Sequence, residues 1–286
     1  MSDDLFSKAA EFIRQADGLL ITAGAGMGVD SGLPDFRGSG GFWKHYPALA
    51  EAGQKFSDIA CPQAFEDDQE QAWGFYGHRL DLYRRTVPHR GFEILRNIAD
   101  RLVGGAFVFT SNVDGQFQKA GFPHERIYEC HGSIHHLQCF APCTRTIWDA
   151  TFVPIVDAAL CRMTSALPRC HECDRLARPH VMMFHVWGWN DERARNQSRH
   201  LRDWRIMRKQ PVVIELGAGA DIPTVRMYGE GEGRWAPLIR INPREPNIPK
   251  RIDGVSLAMG AREAMEGISD ALSKIGFWAI PPAPTF

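Results

Sequence analysis

The sequence lacks the features of membrane proteins, secreted disulfide-rich proteins and nonspecific polyanion binders. No apolar run approaches the roughly 20 residues of a membrane helix, and the acidic start MSDDLFSKAAEF is not typical of a secretory signal. With 33 basic and 34 acidic side chains the net charge is −1, so no broad positive field attracts nucleic acid. We therefore expect a cytoplasmic protein that contacts neither a membrane nor nucleic acid directly.

No internal repeat or low-complexity linker divides the 286 residues, but short apolar segments recur along the chain, with helical patterns between several of them. They lie at 18–22, 106–112, 212–216, 238–241 and 255–259. This alternation predicts an α/β fold with a Rossmann-like, doubly wound and mostly parallel sheet that is covered by helices on both faces. Ligands of such sheets bind beyond the carboxyl ends of the strands, where these segments end in polar or small residues.

Two stretches interrupt the pattern. Residues 38–90 have mainly helical spacing, and residues 139–178 have weak periodicity but hold five of the seven cysteines. We therefore predict a Rossmann-like domain formed by 1–37, 91–138 and 179–286, a helical insertion module at 38–90 and a zinc-binding module at 139–178.

Two close cysteine pairs indicate the zinc site. Three residues separate Cys139 from Cys143, two separate Cys170 from Cys173, and 26 residues lie between the pairs. Disulfides are not expected in a chain of this size without a secretory signal, whereas four thiolates suit a closed tetrahedral Zn²⁺ site. We predict a structural zinc that takes no part in chemistry; the alternative is four unrelated buried cysteines.

A glycine-rich loop follows the first apolar segment. The backbone N–H groups of Gly24-Ala-Gly26 could hold a phosphate near a helix N-terminus. The three residues alone are equally typical of a tight turn without a ligand. The continuation Ser31-Gly-Leu-Pro-Asp-Phe-Arg37 is much harder to explain as a turn.

Four motifs together resemble those of the sirtuins, the NAD-dependent protein deacylases. GAGMGVDSGLPDFR resembles GAG-x-S-x-x-SG-[IL]-P-[DT]-FR; TSNVD at 110–114, ECHGS at 129–133 and RPHVMMFHV at 178–186 resemble TQN-x-D, E-x-HGS and the strand RP-x-[IV]-V-x-F-GE. The motifs follow the family's order over nearly the whole chain. The resemblance implies NAD as cofactor, an acylated protein or peptide as substrate, and release of nicotinamide and O-acyl-ADP-ribose.

The resemblance also implies roles for individual residues. His131 would be the general base, since an imidazole titrates near neutral pH, and Asn112 and Asp114 would hold the nicotinamide ribose and carboxamide. Without the resemblance, His131 would be interpreted as a capped loop histidine, and Asn112 and Asp114 as residues of an Asx turn. The implied NAD-binding residues are Gly24, Ala25, Gly26, Gly28, Asp30, Pro34, Asp35, Phe36, Arg37, Ser111, Asn112, Asp114, His131, Gly217, Ala218, Gly219, Asn242, Gly260 and Ala261.

Two of these groups have a specific expected function. The residues from Gly24 to Gly28 are expected to be small because the diphosphate lies against their backbone. Asp35, Phe36 and Arg37 are expected to form a lid over the ribose.

The chain departs from the family pattern at four places. Gly28 replaces a serine, Ser111 replaces a glutamine, residues 217–219 read GAG in place of GTS, and His185-Val186 replaces Gly-Glu. The last change alters the strand that would pair with the substrate peptide. Two alternatives therefore stay open: an ADP-ribosyltransferase or NAD glycohydrolase, and a non-catalytic NAD or ADP-ribose sensor.

Four residues are predicted to contact the substrate. Tyr76 and Arg79 resemble the Tyr-x-x-Arg of sirtuins that remove acidic acyl groups such as succinyl, because arginine can bind a carboxylate bidentately. A solvated helix face is the alternative. Met182 and Phe184 of the predicted peptide-pairing strand complete the set. The target protein and the oligomeric state are not predicted.

Overall fold

The computed structural model describes residues 2–35 and 46–279. Six parallel strands form the central sheet: β1 Gly18–Ala23, β2 Ala106–Thr110, β3 Ile127–Glu129, β9 Pro211–Leu216, β10 Leu238–Ile241 and β11 Gly254–Leu257. Their order across the sheet is β11-β10-β9-β1-β2-β3. Every residue of β1, β2, β9 and β10 is buried, which explains why these segments are mostly apolar without alternation.

Helices cover both faces of this sheet. These helices are α1 Ser2–Gln15, α6 Arg90–Ala99, α8 Glu192–Ile206, α9 Thr224–Glu232 and α10 Ala261–Lys274. On one face α1, α6 and α10 pack their apolar sides onto the strands, and on the other α8 and α9 do so. The predicted Rossmann-like α/β fold is confirmed. In the parts of the chain that the structure describes, no helix is long and apolar enough to cross a membrane.

The strand order reverses direction at β1. The chain runs from β1 outward to β2 and β3, and later fills the other side with β9, β10 and β11. The loops that leave β1 and β9 therefore diverge, and a crevice opens between them at the carboxyl edge of the sheet. The glycine loop at 24–28 and the glycines at 217–219 flank this crevice.

A second core lies beside the sheet and is shared by the two predicted insertions. Its helices are α2 Pro47–Glu51, α3 Phe56–Ile59, α4 Pro62–Asp67 and α5 Gln69–Arg85. The short helix α7 Gln116–Lys119 packs instead on the central sheet through Phe117. Trp73 on α5 donates its indole N–H to the Ala177 carbonyl at 3.0 Å, and Gly74 lies so close to Cys161 that a Cβ would stand 2.2 Å from its carbonyl oxygen. The strands are β4 Gly132–Cys139, β5 Ile147–Asp149, β6 Val156–Asp157, β7 Arg162–Met163 and β8 Ala177–Val181. The three-module division stays a prediction.

The peptide-pairing strand is shorter than the sequence predicts. The antiparallel sheet β5-β4-β8 ends at Val181, so the prediction of a strand through Val186 is wrong. Phe184 turns away and donates its N–H to the Ala60 carbonyl at 2.9 Å, and His185 adopts φ +52°. This left-handed conformation is uncommon for a residue other than glycine and cannot continue a strand.

Candidate active site

A cavity of about 430 Å³ occupies the crevice at the carboxyl edge of the sheet. Its walls come from the loops that follow β1, β2, β3 and β9, and from α5 and the segment after β8. This position agrees with the expectation that ligands bind where the strand order reverses.

The cavity brings together most of the predicted site residues, although their positions in the sequence are far apart. Those on its walls are Gly24, Ala25, Pro34, Asp35, Ser111, Asn112, Asp114, His131, Ala218, Gly219, Tyr76, Arg79, Met182 and Phe184. Among the described residues, Gly26, Gly28, Asp30, Gly217, Asn242, Gly260 and Ala261 lie near these loops but not on the cavity wall. Phe36 and Arg37 lie outside the described residues.

The glycines of the first loop are small because a second loop packs against them. A Cβ on Gly24 would stand 2.7 Å from the Gly217 carbonyl oxygen, and one on Gly26 would stand 2.7 Å from the Gly217 Cα. Gly217 itself has φ +61°. The Cβ position of Gly28 meets the Leu33 side chain at 3.1 Å. Packing against Gly217 therefore restricts Gly24 and Gly26 in addition to any ligand, and the diphosphate contact with this loop stays a prediction.

The loop after β2 fixes Asn112 and Asp114 at the cavity floor. Asn112 donates its side-chain N–H to the Gly24 carbonyl at 3.0 Å, and the Asp114 carboxylate accepts the Gln116 N–H at 2.9 Å. The second bond is an Asx turn, and Asp114 also lines the cavity, so the turn does not exclude the predicted binding role. Burial raises the pKa of Asp114 to about 6.

His131 lies in the turn between β3 and β4. Its carbonyl accepts the Met182 N–H at 2.9 Å, which ties the turn to the segment after β8. Gly132 follows with φ +79°, and a Cβ there would stand 2.1 Å from the His180 carbonyl oxygen. This contact explains the His-Gly pair. Burial lowers the pKa of His131, so the imidazole is neutral at pH 7 and can accept a proton.

The buried Glu129 carboxylate holds the strand that precedes this turn. It forms an ion pair with Arg193 of α8 at 2.5 Å, and its backbone N–H donates to the Gln197 side chain at 3.2 Å. Helix α8 thus fixes the end of β3 from which His131 projects.

Where α5 forms the cavity wall, Tyr76 and Arg79 are buried rather than solvated. They are 1% and 7% exposed, which rules out a solvated helix face. Arg79 donates from Nε and Nη2 to the Tyr83 hydroxyl oxygen at 3.0 and 2.8 Å. The rings of Phe75 and Tyr83 lie 5.2 and 5.4 Å from the guanidinium carbon, within the range of cation–π attraction.

Sequence reasoning missed several residues of the cavity wall. Tyr83 follows Arg79 by four residues and Tyr76 by seven, a spacing that puts all three on one helix face. This spacing could have predicted Tyr83 on the cavity wall. Phe56, whose ring meets the Phe184 ring edge-on at 5.6 Å, gave no comparable signal. The other missed residues include Val113, Met183 and Asp221.

Three predicted cofactor residues make bonds within the protein. Asp30 accepts the Arg262 N–H at 2.8 Å at the start of α10. Asn242 is 2% exposed, donates to the Ala218 carbonyl at 2.8 Å and accepts two backbone N–H groups. Asp35 forms an ion pair with Arg244 at 2.6 Å. These bonds position the loops around the crevice, and direct contacts of these residues with NAD stay predictions.

The four predicted metal ligands form a cluster. The sulfur atoms of Cys139, Cys143, Cys170 and Cys173 all lie within 4.8 Å of one another, with closest separations of 3.6 to 3.7 Å. Four thiolates about 2.3 Å from a central Zn²⁺ require sulfur separations of about 3.8 Å. The residues therefore fit a structural zinc, and four unrelated cysteines would not converge in this way. None of the four lines the cavity.

Replacement of Cys170 by serine is expected to remove the zinc. Three remaining thiolates hold Zn²⁺ far more weakly, and the segment 139–178 loses the bond network that joins its ends. Metal analysis of the purified protein should show close to one zinc per chain before the change and almost none after it. Cys61→Ser, a buried thiol outside the cluster, is the matched control and should keep its zinc. Stoichiometric zinc in Cys170→Ser would contradict the assignment.

Comparison with known proteins places the chain in a family. A family model described as the Sir2 family matches residues 24–198. The chain is 28% identical over 250 residues to an NAD-dependent protein deacylase of Aeropyrum pernix, covering 87% of this chain and 90% of that protein. It is 30% identical over 190 residues to the mitochondrial NAD-dependent protein deacylase sirtuin-5 of Danio rerio, covering 61% and 59%.

A solved structure agrees in fold. The chain superposes on a Sir2 homolog in complex with NAD with a TM-score of 0.71 at 24% identity, covering 94% of each chain. The family match spans the glycine loop, the turns that carry Asn112 and His131, and all four clustered cysteines. The chain therefore belongs to the Sir2 family.

Proposed function

We propose that the protein is an NAD-dependent protein-lysine deacylase that releases nicotinamide and O-acyl-ADP-ribose. The observation that carries the proposal is one cavity in which a neutral His131 lies with Asn112 and Asp114, while Tyr76 and Arg79 line the same space. The proteins of similar sequence from Aeropyrum pernix and Danio rerio, which are named NAD-dependent protein deacylases, support the same activity.

Each residue has a defined task in this reaction. Bound NAD supplies an electrophilic ribose carbon and a nicotinamide leaving group. Asn112 and Asp114 orient the ribose and carboxamide through fixed side chains, which lowers the entropic cost of reaching the reactive geometry. His131 accepts a proton from a ribose hydroxyl. Val113, Met183 and Phe184 are apolar and exclude water from the site.

The test is to incubate the protein with NAD and with acetyl-, succinyl- and long-acyl-lysine peptides, and to identify both products by mass spectrometry. A deacylase releases nicotinamide only when an acylated peptide is present, and O-acyl-ADP-ribose accumulates in equal amount. Nicotinamide release without a peptide, or transfer of ADP-ribose to protein, would instead support the alternative activity. Tight NAD binding without turnover would support a sensor.

One observation favours the alternative of an ADP-ribosyltransferase or NAD glycohydrolase. Strand β8 ends at Val181, and His185, which stands at the glycine of the sirtuin motif, is exposed with φ +52°. The edge available for pairing with a substrate peptide is therefore short. The product analysis separates the two activities directly.

We also propose that the preferred acyl group carries a terminal carboxylate. Arg79 is a buried cation on the wall of the cavity, and the Tyr83 hydroxyl fixes the orientation of its guanidinium. A carboxylate that enters the cavity would gain a charge-assisted hydrogen bond in a water-poor site. An acetyl group offers no partner for this charge.

Replacement of Arg79 by methionine is expected to reverse the preference between acyl groups. Methionine keeps the length and apolar stem but loses the cation, so kcat/KM for a succinyl-lysine peptide should fall about 10- to 100-fold, the value of one charged hydrogen bond. Activity on an acetyl-lysine peptide should stay within about threefold or rise. Arg85→Met, at an exposed position of the same helix, is the matched control. Equal losses on both peptides would contradict acidic-acyl specificity.

The zinc site supports a cytoplasmic location, which we propose as well. Four thiolate ligands require reduced cysteines, and these persist in a reducing compartment.

A further inference from the structure

Helix α8 carries a concentration of positive charge that the overall net charge of −1 conceals. The helix contains five basic and two acidic side chains, and Arg208 and Lys209 follow directly after it. Two of the basic residues point inward to buried or half-buried partners, Arg193 to Glu129 and Arg205 to Glu232. The others lie at or near the surface.

Three of the arginines form a stripe with an apolar end. Arg195, Arg199, Arg202 and Ile206 follow at intervals of four, three and four, so they share one face of α8, and all are exposed. The stripe is about 16 Å long, from a rise of about 1.5 Å per residue. Arg195 and Arg202 pair only with exposed carboxylates of Asp191 and Asp203, at 3.2 and 3.6 Å. Such exposed pairs contribute little, so the guanidinium groups can exchange them for other partners.

Exposed apolar side chains lie at the C-terminal end of α8 and in the segment just before β10. Ile206, Met207 and Trp235 are 72%, 68% and 80% exposed. Met207 precedes β9 and Trp235 precedes β10, which are paired parallel strands, so both residues lie at the amino edge of the sheet. The ion pair between Arg205 and Glu232, at 2.6 Å, joins the two segments. The cavity lies at the opposite, carboxyl edge.

We propose that this surface, the α8 docking face (Arg195, Arg199, Arg202, Ile206, Met207 and Trp235), binds an acidic segment of another protein. The segment's carboxylates would meet the three arginines, and an apolar side chain next to them would cover Trp235 and its neighbours. A large aromatic ring beside arginines is the composition that dominates protein interfaces.

Nucleic acid and membranes fit this face less well than an acidic segment. The stripe holds only three arginines, with Asp191 and Asp203 at its two ends, and the net charge of −1 supplies no broad positive field for a long phosphate backbone. A helix that binds in a membrane interface inserts its apolar side, but the apolar side of α8, with Leu201 and Trp204, is buried against the sheet.

The test measures binding of a fluorescein-labelled peptide of six glutamates followed by Gly-Leu-Phe-Leu, by anisotropy at low salt. The same peptide with glutamines in place of glutamates serves as the uncharged probe. The triple variant Arg195→Glu, Arg199→Glu, Arg202→Glu should weaken binding of the acidic peptide at least about tenfold, and Trp235→Ala should weaken it about fivefold or more. Circular dichroism and zinc content confirm that each variant is folded.

A matched triple variant tests whether binding depends on the α8 docking face or only on the overall charge of the protein. Arg14→Glu, Arg85→Glu, Arg90→Glu changes the net charge by the same amount at exposed positions on α1, α5 and α6, and should bind the peptide like the unaltered protein. Equal weakening by both triple variants, or no measurable binding of the acidic peptide, would overturn the proposal. Tighter binding of a DNA duplex or of phosphatidylserine vesicles than of the peptide would also overturn it.

Discussion

Replacement of His131 by asparagine is expected to lower kcat for deacylation by about 10²- to 10⁴-fold, the usual contribution of a general base. Asparagine is polar and of similar size, but it cannot accept a proton near neutral pH. The turn that carries it is held by the backbone bond from Met182 and by Gly132, so the fold and the zinc content should not change. Single-turnover measurements with NAD and an acylated peptide give the rate of the chemical step.

The pH dependence of kcat/KM gives a second measure of the same residue. His131 must be neutral to act as a base, and burial lowers its pKa below the ordinary value of 6.5. The rate should therefore fall only when the pH drops below about 6.5, and this decrease should change in shape in His131→Asn. Asp114, with a pKa raised to about 6 by burial, titrates in the same range and steepens the decrease in the unaltered protein.

A second histidine variant tests whether the loss of deacylation is specific to position 131. His136 on β4 is also half-buried with a lowered pKa, but it does not line the cavity. His136→Asn should keep deacylation within about threefold. If His131→Asn kept the full rate of O-acyl-ADP-ribose formation, another group would be the base.

The parts of the site that the sequence predicts are those where one local pattern determines both structure and chemistry. The apolar run before Gly24 specifies a buried strand, and the paired cysteines specify a thiolate cluster. His131, Asn112 and Asp114 each follow a strand of the same parallel sheet. Since the carboxyl ends of these strands share one edge, the residues converge without any long-range information.

The remaining features depend on contacts between distant segments. Gly24 and Gly26 are restricted by Gly217, almost 200 residues later, and no local pattern reveals that contact. The end of β8 is set by the bonds of Met182 to His131 and of Phe184 to Ala60. Asn242 follows a strand as His131 and Asn112 do, yet its side-chain amide donates to the Ala218 carbonyl in the next loop. Strand-end position alone does not separate a ligand contact from a loop support.

Arg240 offers the largest expected effect on stability. It lies opposite Glu215 on adjacent parallel strands in the sheet, and its Nε and Nη2 donate to the Glu215 carboxylate at 2.6 and 3.1 Å. Nη2 also pairs with Glu230 of α9 at 2.9 Å. Arg240 and Glu215 are fully buried, and burial raises the pKa of Glu215 although Arg240 opposes the shift.

Replacement of Arg240 by alanine should lower the free energy of unfolding by about 3–5 kcal/mol, the range for breaking a buried ion pair. The loss arises mainly because Glu215 remains buried with its main counter-charge removed, and α9 packs directly on it: a Cβ on Gly229 would stand 2.5 Å from its carboxylate oxygen. Urea unfolding followed by circular dichroism measures the change. Arg85→Ala, which breaks an exposed pair with Asp81, should cost less than about 1 kcal/mol.

Two further measurements distinguish the cost of leaving the Glu215 carboxylate buried without Arg240 from the cost of lost packing. Protonation of Glu215 removes the uncompensated charge, and burial raises the pKa of Glu215 in the folded state above its unfolded value. The loss of unfolding free energy in Arg240→Ala should therefore grow as the pH rises through the folded-state pKa. The variant should therefore be less destabilised at about pH 5 than at about pH 8. The double change Arg240→Met with Glu215→Leu removes both charges and fills the space, and should recover most of the loss. If the double variant were no more stable than Arg240→Ala, the cost would lie in packing beneath α9 and not in the charge of Glu215.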